Sequence, residues 1–234
     1  MINLVVSDLK KNFGGLHVLK GVSFEINGPE LIGLIGPNGA GKTTLTNVLD
    51  GAIKPNSGTV YLGGDRIDQL QPYEVARHGL GRTFQVTRSF RRMTVLENLL
   101  VPALALDQGL SRSEINDKAM EVLEFLTVDH LRNEFAQSLS GEQQKLLELG
   151  RLLMLNPDVI ILDEPFAGVH PKLMEIIYKY IERVNDNGTA IILISHQMDS
   201  IFSLCKRLLV LNYGDLIADG TPAVSYTHLR AHET

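Results

Sequence analysis

The feature that most constrains this chain is a glycine-rich stretch of eight residues that runs from Gly36 to Thr43. It fits the phosphate-loop pattern, which is a glycine, four residues of any type, a second glycine, a lysine, and then serine or threonine. An apolar run at 31–35 predicts a buried strand before it, and apolar residues at helical spacing predict a helix over 42–50. In such a strand–loop–helix unit, backbone N–H groups converge on phosphate oxygens and the helix dipole favours their negative charge. The sequence therefore predicts a nucleotide site.

Two residues of this loop have specific expected roles. Lys42 should reach the β- and γ-phosphates, and the hydroxyl of Thr43 should bind Mg²⁺. The alternative, a glycine turn that only connects a strand to a helix, does not explain the full match together with its flanks. The predicted nucleotide-binding residues are Gly36, Pro37, Asn38, Gly39, Ala40, Gly41, Lys42, Thr43 and Thr44.

Length and composition limit what else the protein can be. Its 234 residues suit one large domain or a core with an inserted subdomain. The net charge of −5 does not indicate a nucleic-acid partner. Apolar runs stay well short of the roughly 20 residues that span a bilayer, and the N-terminus lacks a secretory signal pattern. The single cysteine, Cys205, excludes an internal disulfide and fits a reducing compartment, so we expect a cytosolic protein.

The order of apolar patterns predicts one domain over 1–223, with a helical subdomain at about 87–154 inserted into an α/β core. The predicted strands are 2–6, 22–26, 31–35, 59–62, 81–85, 159–162 and 191–194. The predicted helices are 42–50, 94–106, 113–126, 141–154 and 171–187, with a short one within 68–79 that is entered at Pro72. The last eleven residues, 224–234, continue no pattern. They resemble the in-frame translation of a sequencing-library adapter, with a native polar tail as the alternative, so we give them no function.

Two further stretches carry possible chemistry. Asp163 and Glu164 follow a buried strand, at the sheet edge where α/β proteins bind ligands. Asp163 suits a Mg²⁺ contact, and Glu164 suits a general base or water-orienting role in phosphoryl transfer. The alternative is an acidic strand end that only faces solvent. Ser140 is a natural helix N-cap with Gln143 at the capping-box position, and helix capping alone suffices to explain both.

The phosphate loop, Gln85, the run 139–143, Asp163–Glu164 and His196 together resemble ATP-binding-cassette (ABC) ATPases in order and spacing. The resemblance covers about 2–222. It implies an α/β fold, the ABC-type P-loop nucleotide-binding domain, with an N-terminal antiparallel β subdomain and an inserted helical subdomain. It also implies ATP and Mg²⁺ as cofactors, and a second ATPase subunit, identical or a sister protein, as partner.

The resemblance implies roles for single residues. Glu164, His196, Gln85 and Lys42 would be catalytic, and Thr43, Gln85 and Asp163 would hold the metal. Phe13 lies where the family stacks an aromatic ring on adenine, with a core phenylalanine at a strand end as the alternative. The signature residues would bind the γ-phosphate of ATP held by the second protomer, and they are Ser140, Gly141, Glu142 and Gln143.

Two residues depart from the family pattern. Glu142 replaces the second glycine of the usual signature, and its carboxylate would repel a partner's γ-phosphate unless it points away. His170 stands where the family commonly has aspartate, in a loop that crosses the dimer interface. Neither change touches Lys42, Gln85 or Glu164, so we expect ATP hydrolysis to be retained.

One branch of the family is favoured by the runs 82–85 and 93–99, which resemble the ATP-binding subunits of branched-chain amino acid importers. That resemblance implies two transmembrane permease subunits as partners, an external solute-binding protein that acts indirectly, and a peripheral location on the cytoplasmic face of the membrane. The surface expected to dock a permease helix comprises Arg88, Phe90, Arg91, Arg92 and Met93, with a solvated basic turn as the alternative. The other functions that the sequence leaves open are a non-transport ABC ATPase and a regulator that binds ATP without hydrolysing it.

Overall fold

The fold is seen in a computed structural model, which describes residues 3–83, 89–106 and 109–223. The strands are β1 (Asn3–Phe13), β2 (Leu16–Asn27), β3 (Leu31–Ile35), β4 (Ser57–Leu62), β5 (Asp65–Arg66), β6 (Leu80–Arg82), β7 (Val159–Asp163), β8 (Ala190–Ile194), β9 (Arg207–Asn212) and β10 (Asp215–Gly220). The helices are α1 (Lys42–Leu49), α2 (Pro72–Arg77), α3 (Val95–Ala105), α4 (Arg112–Phe125), α5 (Gly141–Leu155), α6 (Pro171–Asp186) and α7 (Met198–Leu204). Two short 3₁₀ helices lie at Asp129–Leu131 and Ala136–Ser138.

A six-stranded sheet in the order β10-β9-β3-β8-β7-β6 forms the centre of the molecule. Its strands run parallel except β10, which is antiparallel to β9. Alternate residues of β7 and β8 enter two different cores, because successive side chains point to opposite faces of a sheet. Ile161 and Ile192 pack with α1 and the small sheet, whereas Leu162 and Leu193 pack with the helices. Both faces are thus buried, which explains the uninterrupted apolar runs in these strands.

A second, antiparallel sheet in the order β2-β1-β4-β5 covers one face of the central sheet. Its first hairpin is longer than the predicted strands 2–6 and 22–26, and the predicted connection at 10–15 shrinks to Gly14 and Gly15. The outer ends of this hairpin carry polar residues on exposed faces, so no apolar run marks them in the sequence.

The helices α3, α4 and α5 follow β6 and precede β7, and they agree with the predicted helices to within two residues. Thr94 and Ser111 begin α3 and α4 through capping boxes with Glu97 and Glu114. The boundaries of a separate helical subdomain stay a prediction, since its proposed start at 87 lies outside the described residues. No helix in the described ranges is both long and apolar enough to cross a membrane.

The short helix predicted within 68–79 is Pro72–Arg77, and it begins at Pro72 as predicted. Residues 68–71 lie outside it, and buried Asp68 accepts hydrogen bonds from the Val60 N–H at 3.0 Å and from Arg66 Nε at 2.9 Å. Those bonds fix residue 68 beside β4 and outside any helix. The sequence patterns also assign neither α7, β9 nor β10, although β9 has an apolar run much like that of β7.

Candidate nucleotide-binding and hydrolysis site

The phosphate loop lies between β3 and α1 and takes a shape that only glycine permits at two positions. Gly36 has φ +151°, and a side chain there would collide with the carbonyl oxygen of Leu211. Gly41 has φ +108°, and a Cβ would lie 3.0 Å from the carbonyl oxygen of Val18. It is also the N-cap of α1, so the first N–H groups of that helix open into the loop. The result is a concave backbone surface suited to phosphate.

The turn between β9 and β10 supports this loop from behind. The Gly214 N–H donates to the carbonyl oxygen of Ala40 at 2.9 Å, and the Lys20 N–H donates to the carbonyl oxygen of Gly214 at 3.0 Å. The same turn thus contacts both the loop and β2. These residues lie far from the loop in sequence, and the sequence patterns did not predict the contact.

Lys42 folds back over the loop. Its Nζ donates to the carbonyl oxygens of Gly36 at 2.6 Å and Pro37 at 3.0 Å. Burial lowers the pKa of Lys42, while the nearby charges of Glu164 and Asp163 act in the opposite direction. A lysine donor beside a phosphate cradle and two carboxylates suits the terminal phosphates of a nucleotide, and that contact stays a prediction.

A cavity of about 440 Å³ brings most of the predicted nucleotide-site residues together. It is lined by Leu16, Val18, Asn38, Gly39, Ala40, Gly41, Lys42, Thr43, Thr44, Asp163, Glu164, Ile194 and His196. Leu16 and Val18, at the start of β2, are not predicted from the sequence. Phe13 is not part of this lining; its ring is half exposed, and Lys11 Nζ lies 5.1 Å from the ring centroid. Its stacking on adenine therefore stays a prediction.

Glu164 directly follows β7 and is held there by two hydrogen bonds. Its φ is +52°, its N–H donates to the carbonyl oxygen of Ile194 at 2.8 Å, and its Oε2 accepts from the His196 N–H at 3.3 Å. Its Oε1 is buried and lies 3.3 Å from His196 Nε2, but no donor is aligned for a hydrogen bond with it. Since buried carboxylate oxygens normally accept a hydrogen bond, this atom is fitted to receive one from a water molecule.

Asp163 is fixed by the two residues that end β6 and follow it. Its N–H donates to Thr83 Oγ1 at 3.0 Å, and its Oδ2 accepts from Arg82 Nη2 at 2.9 Å. The Arg82 side chain is 5% exposed and also donates to Asp50 and Asn47 of the α1 end, each at 2.7 Å. One arginine therefore connects the strand end that carries Asp163 to the helix that follows the phosphate loop.

The residues present fit a Mg²⁺ ion held jointly with a nucleotide. Thr43 and Asp163 line the same cavity, which supplies a hydroxyl and a carboxylate oxygen. Within the described ranges, no three His, Cys, Asp or Glu side chains are grouped to hold a metal. Such a sparse oxygen set suits Mg²⁺, which usually keeps water and phosphate oxygens among its ligands. Gln85, the third predicted metal contact, lies outside the described residues.

The family model for ABC transporters matches residues 19–167. The chain belongs to the ABC transporter family. Two similar relatives are the lipopolysaccharide export ATP-binding protein LptB of Escherichia coli and the branched-chain amino acid transport ATP-binding protein LivG of Salmonella typhimurium. LptB is 37% identical over 95% of this chain and 92% of its own length, and LivG is 39% identical over 94% and 91%. This ABC protein is therefore an ATP-hydrolysing transporter subunit, as predicted.

Solved structures confirm the predicted fold of this ABC ATPase. A nucleotide-free ATP-binding cassette from an ABC transporter has a TM-score of 0.84 at 36% identity and covers 99% of this chain and 96% of its own. The cassette MJ0796, solved as a dimer in a post-hydrolysis state with ADP and phosphate, has a TM-score of 0.83 at 25% identity, with coverage of 93% and 98%.

The signature residues of this ABC ATPase begin α5. Ser140 and Gln143 form a capping box, with the Gln143 N–H donating to Ser140 Oγ at 3.3 Å and the Ser140 N–H donating to Gln143 Oε1 at 2.9 Å. Glu142 Oε1 accepts from the backbone N–H of His170 at 2.9 Å. The two residues that depart from the family pattern thus contact each other, and the Glu142 carboxylate is directed towards its own chain. Gly141 faces open space on the side where a side chain would stand.

Lys145, one turn into α5, is a residue that sequence reasoning missed. Its Nζ lies 3.0 Å from the carbonyl oxygen of Ala167, 3.1 Å from that of Pro165 and 3.5 Å from that of Glu164. Burial lowers the pKa of Lys145, and the charges of Glu148 and Glu164 oppose that effect. A half-buried lysine near the start of a helix carries no sequence signal that distinguishes it from a solvated one.

Proposed function

We propose that this ABC ATPase powers the uptake of branched-chain amino acids, or of related small amino acids and amides, through a membrane permease. It would act as a peripheral subunit at the cytoplasmic face, paired with a second ATPase subunit and two permease subunits, and an external solute-binding protein would deliver the solute. The observation that carries this proposal is the structure of residues 89–99, which include the run shared with branched-chain amino acid importers.

Asn98, a residue of that run, fixes the shape of the segment before it. It is fully buried, and its side-chain amide donates to the carbonyl oxygens of Phe90, Met93 and Thr94 at 3.1, 3.3 and 2.9 Å. Its Oδ1 accepts from the Phe90 N–H at 2.8 Å. One asparagine thus holds the segment 90–94 in a single shape ahead of α3.

The fixed segment forms one wall of a groove between the helices and the central sheet. The groove encloses about 560 Å³, and its lining includes Arg82, Phe90, Pro102, Arg151 and Leu155. The guanidinium of Arg151 lies 4.9 Å from the centroid of the Phe90 ring. The lining also includes the carboxylates of Asp50 and Glu148, so this mostly apolar groove carries both signs of charge. It suits a short permease helix that inserts an apolar anchor.

The proposed chemistry uses the residues that meet in the nucleotide cavity. Lys42 and the loop N–H groups would bind the phosphates, while Thr43, Asp163 and Gln85 would hold Mg²⁺. That ion would neutralise charge on the phosphates. Glu164 would orient or deprotonate the attacking water, and His196 would contact the γ-phosphate. Because Glu142 is bonded to His170, its carboxylate does not stand against hydrolysis, which disfavours the regulator alternative.

The relatives suggest a second candidate, because LptB, a lipopolysaccharide export protein, is almost as similar as LivG. Reconstitution in lipid vesicles separates the two. The chain and the permease subunits encoded beside it would be assembled with the matching solute-binding protein. We expect leucine, isoleucine or valine to raise ATP hydrolysis several-fold and to accumulate inside the vesicles. Stimulation by lipopolysaccharide with no response to amino acids would overturn import in favour of export.

Charge reversal tests the docking surface. We expect Arg91→Glu or Arg92→Glu to reduce co-purification with the permease at least fivefold and to leave ATP binding by the isolated chain unchanged. Both side chains are exposed and directly follow Phe90. The matched control is Lys179→Glu, an exposed lysine on α6, which should co-purify normally. Equal recovery of all three variants would refute this use of the surface.

A further inference from the structure

Two side chains on the first turns of α5 reach the loop that joins β7 to α6. Glu142 and Lys145 are three residues apart and therefore lie on one side of the helix. Lys145 places its ammonium against the carbonyl oxygens of Glu164, Pro165 and Ala167, so the three donors of one lysine match three acceptors of one loop. Glu142 binds the same loop at its far end.

The contact of Glu142 replaces a cap that α6 cannot make for itself. In α2, α3, α4 and α5, a Glu or Gln side chain at the third helical position accepts from the N-cap N–H. In α6 the N-cap is His170 and the third position is Leu173, which has no acceptor. Glu142 supplies that acceptor from a different helix, at 2.9 Å from the His170 nitrogen. The start of α6 is thereby tied to the start of α5.

Glu164 lies between the contacts that join α5 to α6 and the central sheet. Its φ of +52° is a conformation that a residue with a side chain holds only when its surroundings enforce it. The N–H bond to Ile194 supports it from β8, and the ammonium of Lys145 supports the carbonyl side. In the described part of the chain, Lys145 is the only side chain that donates to more than one of the carbonyl oxygens of residues 164–167.

We propose that Lys145 and Glu142 are positioning residues that fix the loop 164–170, and with it the carboxylate of Glu164, to the first turns of α5. This inference rests on the proposed role of Glu164 in hydrolysis. A phosphate bound by a partner protomer would dock on the N-terminus of α5, and any shift of that helix would move Glu164 of the same chain. The contacts of Lys145 and Glu142 with the loop 164–170 thus connect the phosphate contact of one ATP site to the catalytic carboxylate of the other site.

Steady-state kinetics separate positioning from simple binding. Lys145→Met keeps the length of the side chain and removes its donors, so we expect kcat to fall at least tenfold while KM and the Kd for ATP stay within twofold. Lys145→Arg restores donors and should recover kcat to within threefold of wild type. Glu142→Ala removes the acceptor of the His170 N–H and should lower kcat about threefold or more. The matched control is Lys118→Met, a similarly buried lysine on α4, with unchanged kcat.

Hydrogen exchange in nucleotide-free protein provides a readout that is independent of turnover. We expect Lys145→Met and Glu142→Ala to speed exchange of amides in the peptide 164–174, including that of His170, and to leave peptides from β7 and β8 unchanged. If Lys145→Met speeds exchange in peptides from the whole chain, that variant is generally unfolded. The test then rests on Glu142→Ala, whose side chain is exposed.

The outcomes distinguish this inference from the proposed function. Wild-type protein without ATPase activity in the reconstituted complex would refute the proposed function itself. An active wild type with an unaffected Lys145→Met variant, in both kcat and loop exchange, would overturn the positioning role alone. A loss of kcat in Lys145→Met that Lys145→Arg does not recover, with normal loop exchange, would also overturn it.

Discussion

Glu164 has both an unusual backbone conformation and an unusual side-chain environment. A left-handed conformation at a residue other than glycine costs on the order of 1–3 kcal/mol, so the neighbouring contacts must hold it in place. At the same residue, a buried Oε1 lacks an aligned donor. Both features concern a carboxylate that lines the cavity beside Lys42, which is the arrangement expected of a group that acts on bound water.

The substitution Glu164→Gln tests that role. It keeps the shape of the side chain and removes its basicity, so we expect ATP hydrolysis to fall at least about 100-fold, the usual scale of general-base catalysis. The Kd for ATP should change by less than about threefold, as measured by fluorescent-nucleotide titration. The control is Glu175→Gln, at an exposed position of α6, which should hydrolyse ATP normally. Turnover retained by the Glu164 variant would remove the carboxylate from the mechanism.

At the residue scale, the sequence predicted what a local pattern encodes. Lys42, Thr43, Asp163, Glu164 and His196 line one cavity, because the phosphate loop begins α1 there and the ends of β7 and β8 lie beside it. Contacts made across the fold have no such pattern. The cavity residues at the start of β2 and the lysine on α5 could not be predicted, because a hydrophobic side chain on a hairpin and a lysine on a helix are ordinary in both places.

Arg82 shows how one side chain stabilises several elements at once. It ends β6, pairs with Asp163 at the end of β7, and pairs with Asp50 at the end of α1, while both carboxylates are mostly buried. Removing one member of a buried charge group leaves the others without compensation, which is far more destabilising than losing an exposed pair. The group therefore holds the end of β7 and the helix that follows the phosphate loop in register.

The substitution Arg82→Met tests how much this buried charge group stabilises the fold. We expect it to reduce the free energy of unfolding by roughly 3 kcal/mol, because two carboxylates remain buried. Arg207→Met is the matched control: Arg207 also pairs with two carboxylates, Glu30 and Asp219, but its side chain is 25% exposed. Its loss should cost about 1 kcal/mol or less. Urea unfolding followed by circular dichroism gives both values, and equal losses would contradict the special position of Arg82.

At the element scale, α1, α3 to α6, β3, β7 and β8 followed the predictions, because burial imposes a period that the sequence displays. The first hairpin did not, since polar side chains on its exposed arms hide the true ends of its strands. The strand β9 had a usable signal, as its run of Leu and Val residues is fully buried.

The whole molecule is expected to work as a pair of cassettes, since Gly141 faces open space and α5 presents its N-terminus there. Light scattering of the Glu164→Gln chain without 224–234 tests self-pairing. With Mg-ATP we expect twice the mass of one shortened chain, and without nucleotide the mass of a single shortened chain. A monomer that binds ATP would contradict a homodimer, and the run repeated with the neighbouring sister ATPase should then show the mixed pair.

The support of the phosphate loop by the turn at Gly214 has a consequence for biosynthesis. The loop is translated early, but the strand and turn that hold its backbone are among the last described parts of the chain to be made. Until they emerge from the ribosome, the loop lacks the carbonyl oxygen of Leu211 beside Gly36 and the bond to Ala40. We therefore expect a nascent chain that ends just after His196 to bind ATP more weakly than the full chain, so that nucleotide contributes little to the early stages of folding.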